Sequence, residues 1–386
     1  THGPANGIIE IDEKLVLVIT DDARGTHTWW ADGLPLVSNV NLIRRLKTEN
    51  SKNSLGISAL LDLKPGRTSF MLPVPASGIE VKIAGEKIPA SGDAATFAVN
   101  PAAFDAKPLK TPLTSALVRK ESFDTGGSRP IDRLVPIGKL GFATAGFYFY
   151  STSVRPHPQP MKIKVGIFTN DPVRAYIDGK LLREDNPDSE KLKIYSIPAS
   201  DSAASLILLY EHSGREHIGS YLNEPKGVRE ISVLGDSGSS LIGPVSIKQG
   251  LDGVNEKWYS RNTPDTGWKR AALNQAGASP GDILWYRTEF KTPAVPGRFV
   301  PFGLRINGAD YALIYLNGNL IGRFSRANRQ SFFYLPDSFL LRTKDTANNI
   351  TVAAFRSSEK TNLTLTVEPF LEYSTTQSEL EILLKK

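Results

Sequence analysis

The chain has 386 residues, enough for two or three domains with cores of their own, and its 40% hydrophobic and 22% charged residues are those of a folded chain, not a disordered one. It has no cysteine, which excludes disulfides, cysteine-based zinc sites and thiol nucleophiles. The formal charge of +6 is spread among acidic residues without a basic run, so neither a nucleic-acid partner nor, lacking a long apolar stretch, a membrane partner is expected.

In chain order, Gly7–Thr20 reads as two strands, and Gly25–Trp30 follows a polar turn. Leu55–Leu63 and Arg67–Val74 are further strands, and Gly78–Ile88 is a hairpin about Ala84-Gly85. Pro101–Pro112, with three prolines, reads as a linker. Gly141–Thr152 is an aromatic strand, Met161–Thr169 alternates cleanly, and Val173–Leu182 is a hairpin on an Asp178-Gly179 turn. Ser205–Tyr210 is a buried apolar strand. Asp282–Phe290 is a second aromatic strand, and Tyr311–Phe324 a second hairpin, on Asn317-Gly318. The second hairpin repeats the first 139 residues on (Ala175 to Ile314), a domain-sized offset. The only helical spacing is Leu380, Leu383 and Leu384 near the C-terminus, and the alternation of strands and helices that builds a parallel barrel is absent. The expected fold is all-β: a β-sandwich over 1–110, then two repeated β-domains over 111–240 and 241–386, to which the family resemblance drawn from the residues below gives the jelly-roll form.

The Trp285-Tyr286-Arg287 strand followed by Leu316-Asn317-Gly318 resembles the galactose-binding-like jelly rolls of β-galactosidases of glycoside hydrolase family 35. Leu209–Gly219 and Asn223–Val228 are similar to strand ends of the preceding jelly roll in that family, with His212 where Asn is usual. Val16–Asp22 resembles, more weakly, the β-domain after the catalytic barrel. The resemblance implies a non-catalytic part of a β-galactosidase-like enzyme whose barrel is carried elsewhere, because the carboxylate-bearing barrel motifs are missing here. It implies a secreted or periplasmic setting, a galactosyl-containing glycan and a catalytic barrel domain or chain as partners, no cofactor, and room for a structural Ca²⁺ at an acidic loop such as Glu184–Asp188. A purely structural scaffold and a hydrolase with an unfamiliar site stay open as alternatives.

Sugars present a flat C–H face that aromatic rings cover, with hydroxyls left for polar partners. Trp29 and Trp30 are adjacent on a strand, so one can anchor while the other faces out. Trp285 and Tyr286 are further stacking candidates, with one of them facing the core. Glu211 and Arg215, in the densest titratable cluster, are candidates for hydrogen bonds to glycan hydroxyls. The same cluster holds His212 and His217, whose spacing at a strand end does not suit a helical metal pair. No catalytic residue and no metal ligand is assigned.

Overall fold

The computed structural model describes residues 28–101, 109–187, 189–215, 224–235, 241–273, 279–293, 295–343, 346–356, 362–371 and 374–385, together with the backbone of strands Gly7–Ile11 and Leu15–Ile19. The fold is all-β, with every strand pair antiparallel. Gly7–Ile11 pairs with Leu15–Ile19 as a separate hairpin.

The first unit is a sandwich. One sheet runs Ala95–Val99, Thr68–Leu72, Leu34–Ser38, Thr28–Ala31, and the other includes Leu42–Asn50, Ser54–Leu63 and Ile79–Ile83. Leu55, Ile57, Ala59 and Leu61 point inward at period two, and Leu36, Phe70 and Phe97 meet them from the facing sheet. The expected helix at the C-terminus is instead strand Thr375–Lys385, lying between Ser54–Leu63 and Ile79–Ile83. Leu380, Ile382 and Leu384 are buried while Glu381 and Leu383 are exposed, so the alternating set outweighs the helical spacing of the leucines.

Strand pairing also crosses the expected boundaries at 110 and 240. Thr111–Leu113 and Ser115–Lys120 join the sheets of the last jelly roll, Val245–Gln249 joins those of the middle one, and Thr375–Lys385 returns to the first sandwich. The middle jelly roll is therefore inserted in a connection of the last, and both sit within the first unit. Open sheet edges and gaps decide where a strand docks, and sequence order does not report them.

The two jelly rolls repeat each other. In the middle one a six-stranded sheet runs Arg129–Ile131, Val245–Gln249, Gly146–Val154, Ala204–His212, Val173–Ile177, Lys180–Leu181. In the last, the order is Lys269–Ala272, Ser115–Lys120, Ile283–Phe290, Asn348–Phe355, Tyr311–Leu316, Asn319–Ser325. The two hairpins singled out in sequence end both sheets at the same place. Asp178-Gly179 and Asn317-Gly318 have φ of 45° and 75°, and 48° and 90°, the positive pairs that a two-residue hairpin turn matching strand twist requires. Asp32-Gly33 forms a further turn of this kind, at 51° and 81°.

Each six-stranded sheet covers its own core on one face. With the other face the two sheets pack on each other through a shared apolar layer. Phe147, Phe149, Tyr176 and Leu209 from the middle jelly roll meet Trp285, Tyr311, Leu313 and Phe355 from the last. Phe147 stacks on Phe355 with centroids 5.5 Å apart.

Candidate functional site: a polar pocket beside the jelly-roll interface

Along strand Ile283–Phe290, one face carries Ile283, Trp285, Arg287 and Glu289 in turn. The first two lie in the layer shared with the middle jelly roll. Beyond its edge the same face turns polar. Across the sheet, Arg287 stands beside Leu117 and Thr351, Glu289 beside Asn349, and Arg270 beside Leu117. Over these residues lies a cavity of about 310 Å³, with Ser115 on the floor and Arg261 and Asp265 on the wall.

The wall is positioned from below. The buried Glu121 carboxylate accepts from Asp252 N at 2.8 Å, Gly253 N at 3.2 Å and Trp285 Nε1 at 2.7 Å. Gly253 rests on the Trp285 indole so closely that a Cβ there would come within 2.3 Å of the ring, which leaves glycine as the residue that fits. Trp258 then packs edge-on against Trp285, at 5.8 Å. The chain from 252 to 268 is thereby fixed above the sheet. Burial pushes the Glu121 carboxyl up, against the hydrogen bonds it accepts.

Arg287 is only 6% exposed. Its guanidinium lies 4.5 Å over the Trp268 ring, donates to Thr263 O at 2.8 Å and pairs with Asp265. Arg119 covers the neighbouring ring, Trp258, at 3.7 Å. Asn349 is 5% exposed and accepts from Thr351 Oγ1 at 2.9 Å. Arg261, Arg270 and Glu289 are exposed. The pocket thus offers guanidinium and amide donors, with Glu289 as acceptor, on a floor fixed by sheet pairing.

A larger depression, of about 410 Å³, lies over Gly56 on the outer face of the first sandwich, among Glu49, Glu80, Lys82 and Glu381. It is a dip where a side chain is missing from a solvent-facing sheet, and its polar lining is half-buried or exposed.

The six residues singled out in sequence fall in three places and do not form one site. Trp29 packs against the first core while Trp30 is 57% exposed, the division expected of neighbours on a strand. Trp285 and Tyr286 are both fully buried, so neither ring can stack on a ligand. Opposite faces of this strand are each covered, one by its own core and one by the other jelly roll. Glu211 is buried at that interface, where Tyr311 Oη donates to its Oε1 at 2.5 Å and Arg323 approaches within 3.8 Å. Burial raises both the Glu211 carboxyl and the Tyr311 phenol above their ordinary values. Arg215 is exposed, its Nη2 lying over Gly138 on the middle jelly roll. Arg287 and Glu289 were passed over for their aromatic neighbours. The signal available was the change from apolar to charged along one strand face.

The loop considered for Ca²⁺ does not fit a cation among the described residues. Glu184 pairs with Lys193 at 2.9 Å and Asp185 with Lys162 at 3.0 Å, while Asn186 binds the backbone of Leu192 and Ile194. Asp188 and His217 lie outside the described residues. No cluster of three or more potential metal ligands occurs among the described residues.

In solved structures, the chain aligns with a lectin from Pleurotus ostreatus in complex with GalNAc at 10% identity, over 73% of this chain and 83% of the lectin, with a TM-score of 0.18. It aligns with an α-L-rhamnosidase from Streptomyces avermitilis at 12% identity, over 86% of this chain and 40% of the enzyme, with a TM-score of 0.19. A GH31 α-xylosidase from Xanthomonas citri aligns at 11% identity over 92% of this chain and 36% of the enzyme, with a TM-score of 0.16. The chain thus spans about two fifths of these two enzymes. No curated protein matches the sequence. Residues 283–346 match the family described as the galactose-binding domain of β-galactosidase, a stretch that begins on the strand carrying Arg287 and Glu289.

Proposed function

We propose that the chain is the non-catalytic, carbohydrate-binding part of a β-galactosidase-like glycoside hydrolase of family 35, acting outside the cytoplasm, with a catalytic barrel as its partner. It holds a galactosyl-containing glycan in the pocket over Arg287, Glu289 and Asn349. The observation that carries this reading is coincidence of place: three pocket residues, Arg287, Thr288 and Glu289, belong to the segment that matches the galactose-binding domain. Donors on Arg261, Arg270 and Asn349 suit sugar oxygens, and Glu289 suits a sugar hydroxyl.

The test is binding of the purified chain to a glycan array, with Glu289→Gln alongside. Retention of galactosyl glycans by the native chain, weakened at least tenfold by Glu289→Gln, supports the reading. Retention of no glycan sinks it and leaves the second reading, a scaffold that packs on the barrel. That alternative is favoured by Trp30, which stands 57% exposed on the edge strand Thr28–Ala31, as a residue at a docking face would.

A further inference from the structure

We infer that the ligand of this pocket carries an anionic group, a sulfate ester or a carboxylate, on its galactosyl glycan. The inference rests on the pocket being the sugar site and goes on to the chemistry of the sugar.

Three observations carry it. The first is a charge imbalance. Arg287 is matched by Asp265, but Arg261 and Arg270 have no ion-pair partner among the described residues, and Glu289 is the only other acid lining the cavity. One positive charge is left over in a cavity of about 310 Å³. The second is that stacking is closed off. The tryptophan faces nearest the pocket, on Trp258 and Trp268, are already covered by Arg119 and Arg287. A neutral pyranose would find no ring for its C–H face and would depend on hydrogen bonds that compete with water. A sulfate or carboxylate instead gains charge-assisted, two-pronged bonds from guanidinium groups. The third is Asn349, a residue 5% exposed that lines the cavity and carries an amide donor there. It points to a ligand oxygen held low on the floor, next to Glu289 in the sheet.

The experiment is titration calorimetry of the full chain with β-1,4-galactotetraose, its sulfated form and tetragalacturonate. Arg261→Gln/Arg270→Gln is the test variant and Arg183→Gln, exposed on the other jelly roll, the control. At least one anionic tetrasaccharide is expected to bind tenfold or more tighter than the neutral one. That advantage should vanish in the double variant and persist in the control, and which anion binds identifies the source of charge. Because the chain carries +6 overall, dextran sulfate serves as a polyanion without galactose. Equal binding of neutral and anionic tetraoses overturns the inference while the sugar-binding reading stands. So does binding of dextran sulfate as tight as that of sulfated galactotetraose and unaffected by the double variant. Binding of none of the three tetraoses removes both.

Discussion

Tyr311 of the last jelly roll donates its phenol to Glu211 of the middle one at 2.5 Å, in the midst of an apolar layer of stacked rings. Glu211 Oε2 has no hydrogen-bond partner among the described residues. A buried carboxylate left half-satisfied is expensive, and here it sits where two domains must recognise each other. Arg174, 4.9 Å over the Phe355 ring, and Arg323 supply positive charge from either side of the seam. The pair therefore joins the two jelly rolls by a polar contact across that seam.

Removing the donor tests this pairing. Tyr311→Phe keeps the ring and strips Glu211 of its hydrogen bond, so it should cost about 1–3 kcal/mol of stability. The pH dependence has a defined sign. Burial raises the folded pKa of Glu211 above its ordinary 4.5, so its contribution to stability is complete below that value and declines as pH rises toward the folded pKa. Glu211→Gln removes that decline. Its melting temperature relative to the native chain should climb between pH 4 and pH 8 in thermal scans. An offset that stays constant across the range would show that Glu211 does not titrate as its burial demands.

Asp171 carries the opposite sign. Burial alone would raise its carboxyl, but hydrogen bonds from Ser213, Thr169 and Tyr210, with the ammonium of Lys226 at 3.2 Å, outweigh burial and hold it below the usual carboxylate range. Its contribution to stability is present above the unfolded value and is lost as pH falls through the folded one. Asp171→Asn leaves Lys226, itself 7% exposed, without a counter-charge and should cost about 3–5 kcal/mol. Asp171→Asn/Lys226→Met should recover part of that loss in denaturant titrations. A double variant no more stable than Asp171→Asn would assign the cost to the hydroxyl network instead.

The neighbours Trp29 and Trp30 should separate packing from contact. Trp30→Ala removes an exposed ring and should change stability by no more than about 0.5 kcal/mol, whereas Trp29→Ala opens the first core and should cost about 1–3 kcal/mol. If Trp30 belongs to a docking face, its loss weakens association with a catalytic barrel and leaves glycan binding at the Arg287 pocket unchanged. Loss of glycan binding in Trp30→Ala would move the sugar site to the first sandwich.

The strands and their turns were legible because alternation and Asp-Gly or Asn-Gly pairs are local signals. The repeat of hairpins announced a repeated β-domain, and the two six-stranded sheets have matching strand orders. The nesting of the units was not legible, since Ser115–Lys120 and Val245–Gln249 look alike as strands whichever sheet they join. Aromatic content misdirected the search for a site. Trp285 and Tyr286 are large because each faces a core, and nothing in a single strand says that both of its faces will be covered. Glu211 and Arg215, close in sequence, part company because Glu211 faces the other jelly roll and Arg215 the solvent. Arg287 and Glu289 continue the Trp285 face past the end of that cover, a position that only the docked partner sheet defines.

Strand Thr375–Lys385 makes the sharpest test of the nesting. It pairs with Ser54–Leu63 on one side and Ile79–Ile83 on the other, so it occupies the middle of a sheet and not an edge. Removing it leaves the backbone groups of both neighbours unpaired and takes Leu380, Ile382 and Leu384 out of the core, each worth about 1.5–3 kcal/mol. That loss approaches the whole stability of an ordinary domain, about 5–15 kcal/mol. A chain ending at Leu371 should therefore lose the first sandwich while keeping the jelly rolls, whose cores contain no described residue beyond Val367. Limited proteolysis should cut it between residues 28 and 101 and spare strands Gly146–Val154 and Ala204–His212, and calorimetry should show a transition lost and another retained. A truncated chain that melts as the full one does would mean that the first sandwich closes without its central strand.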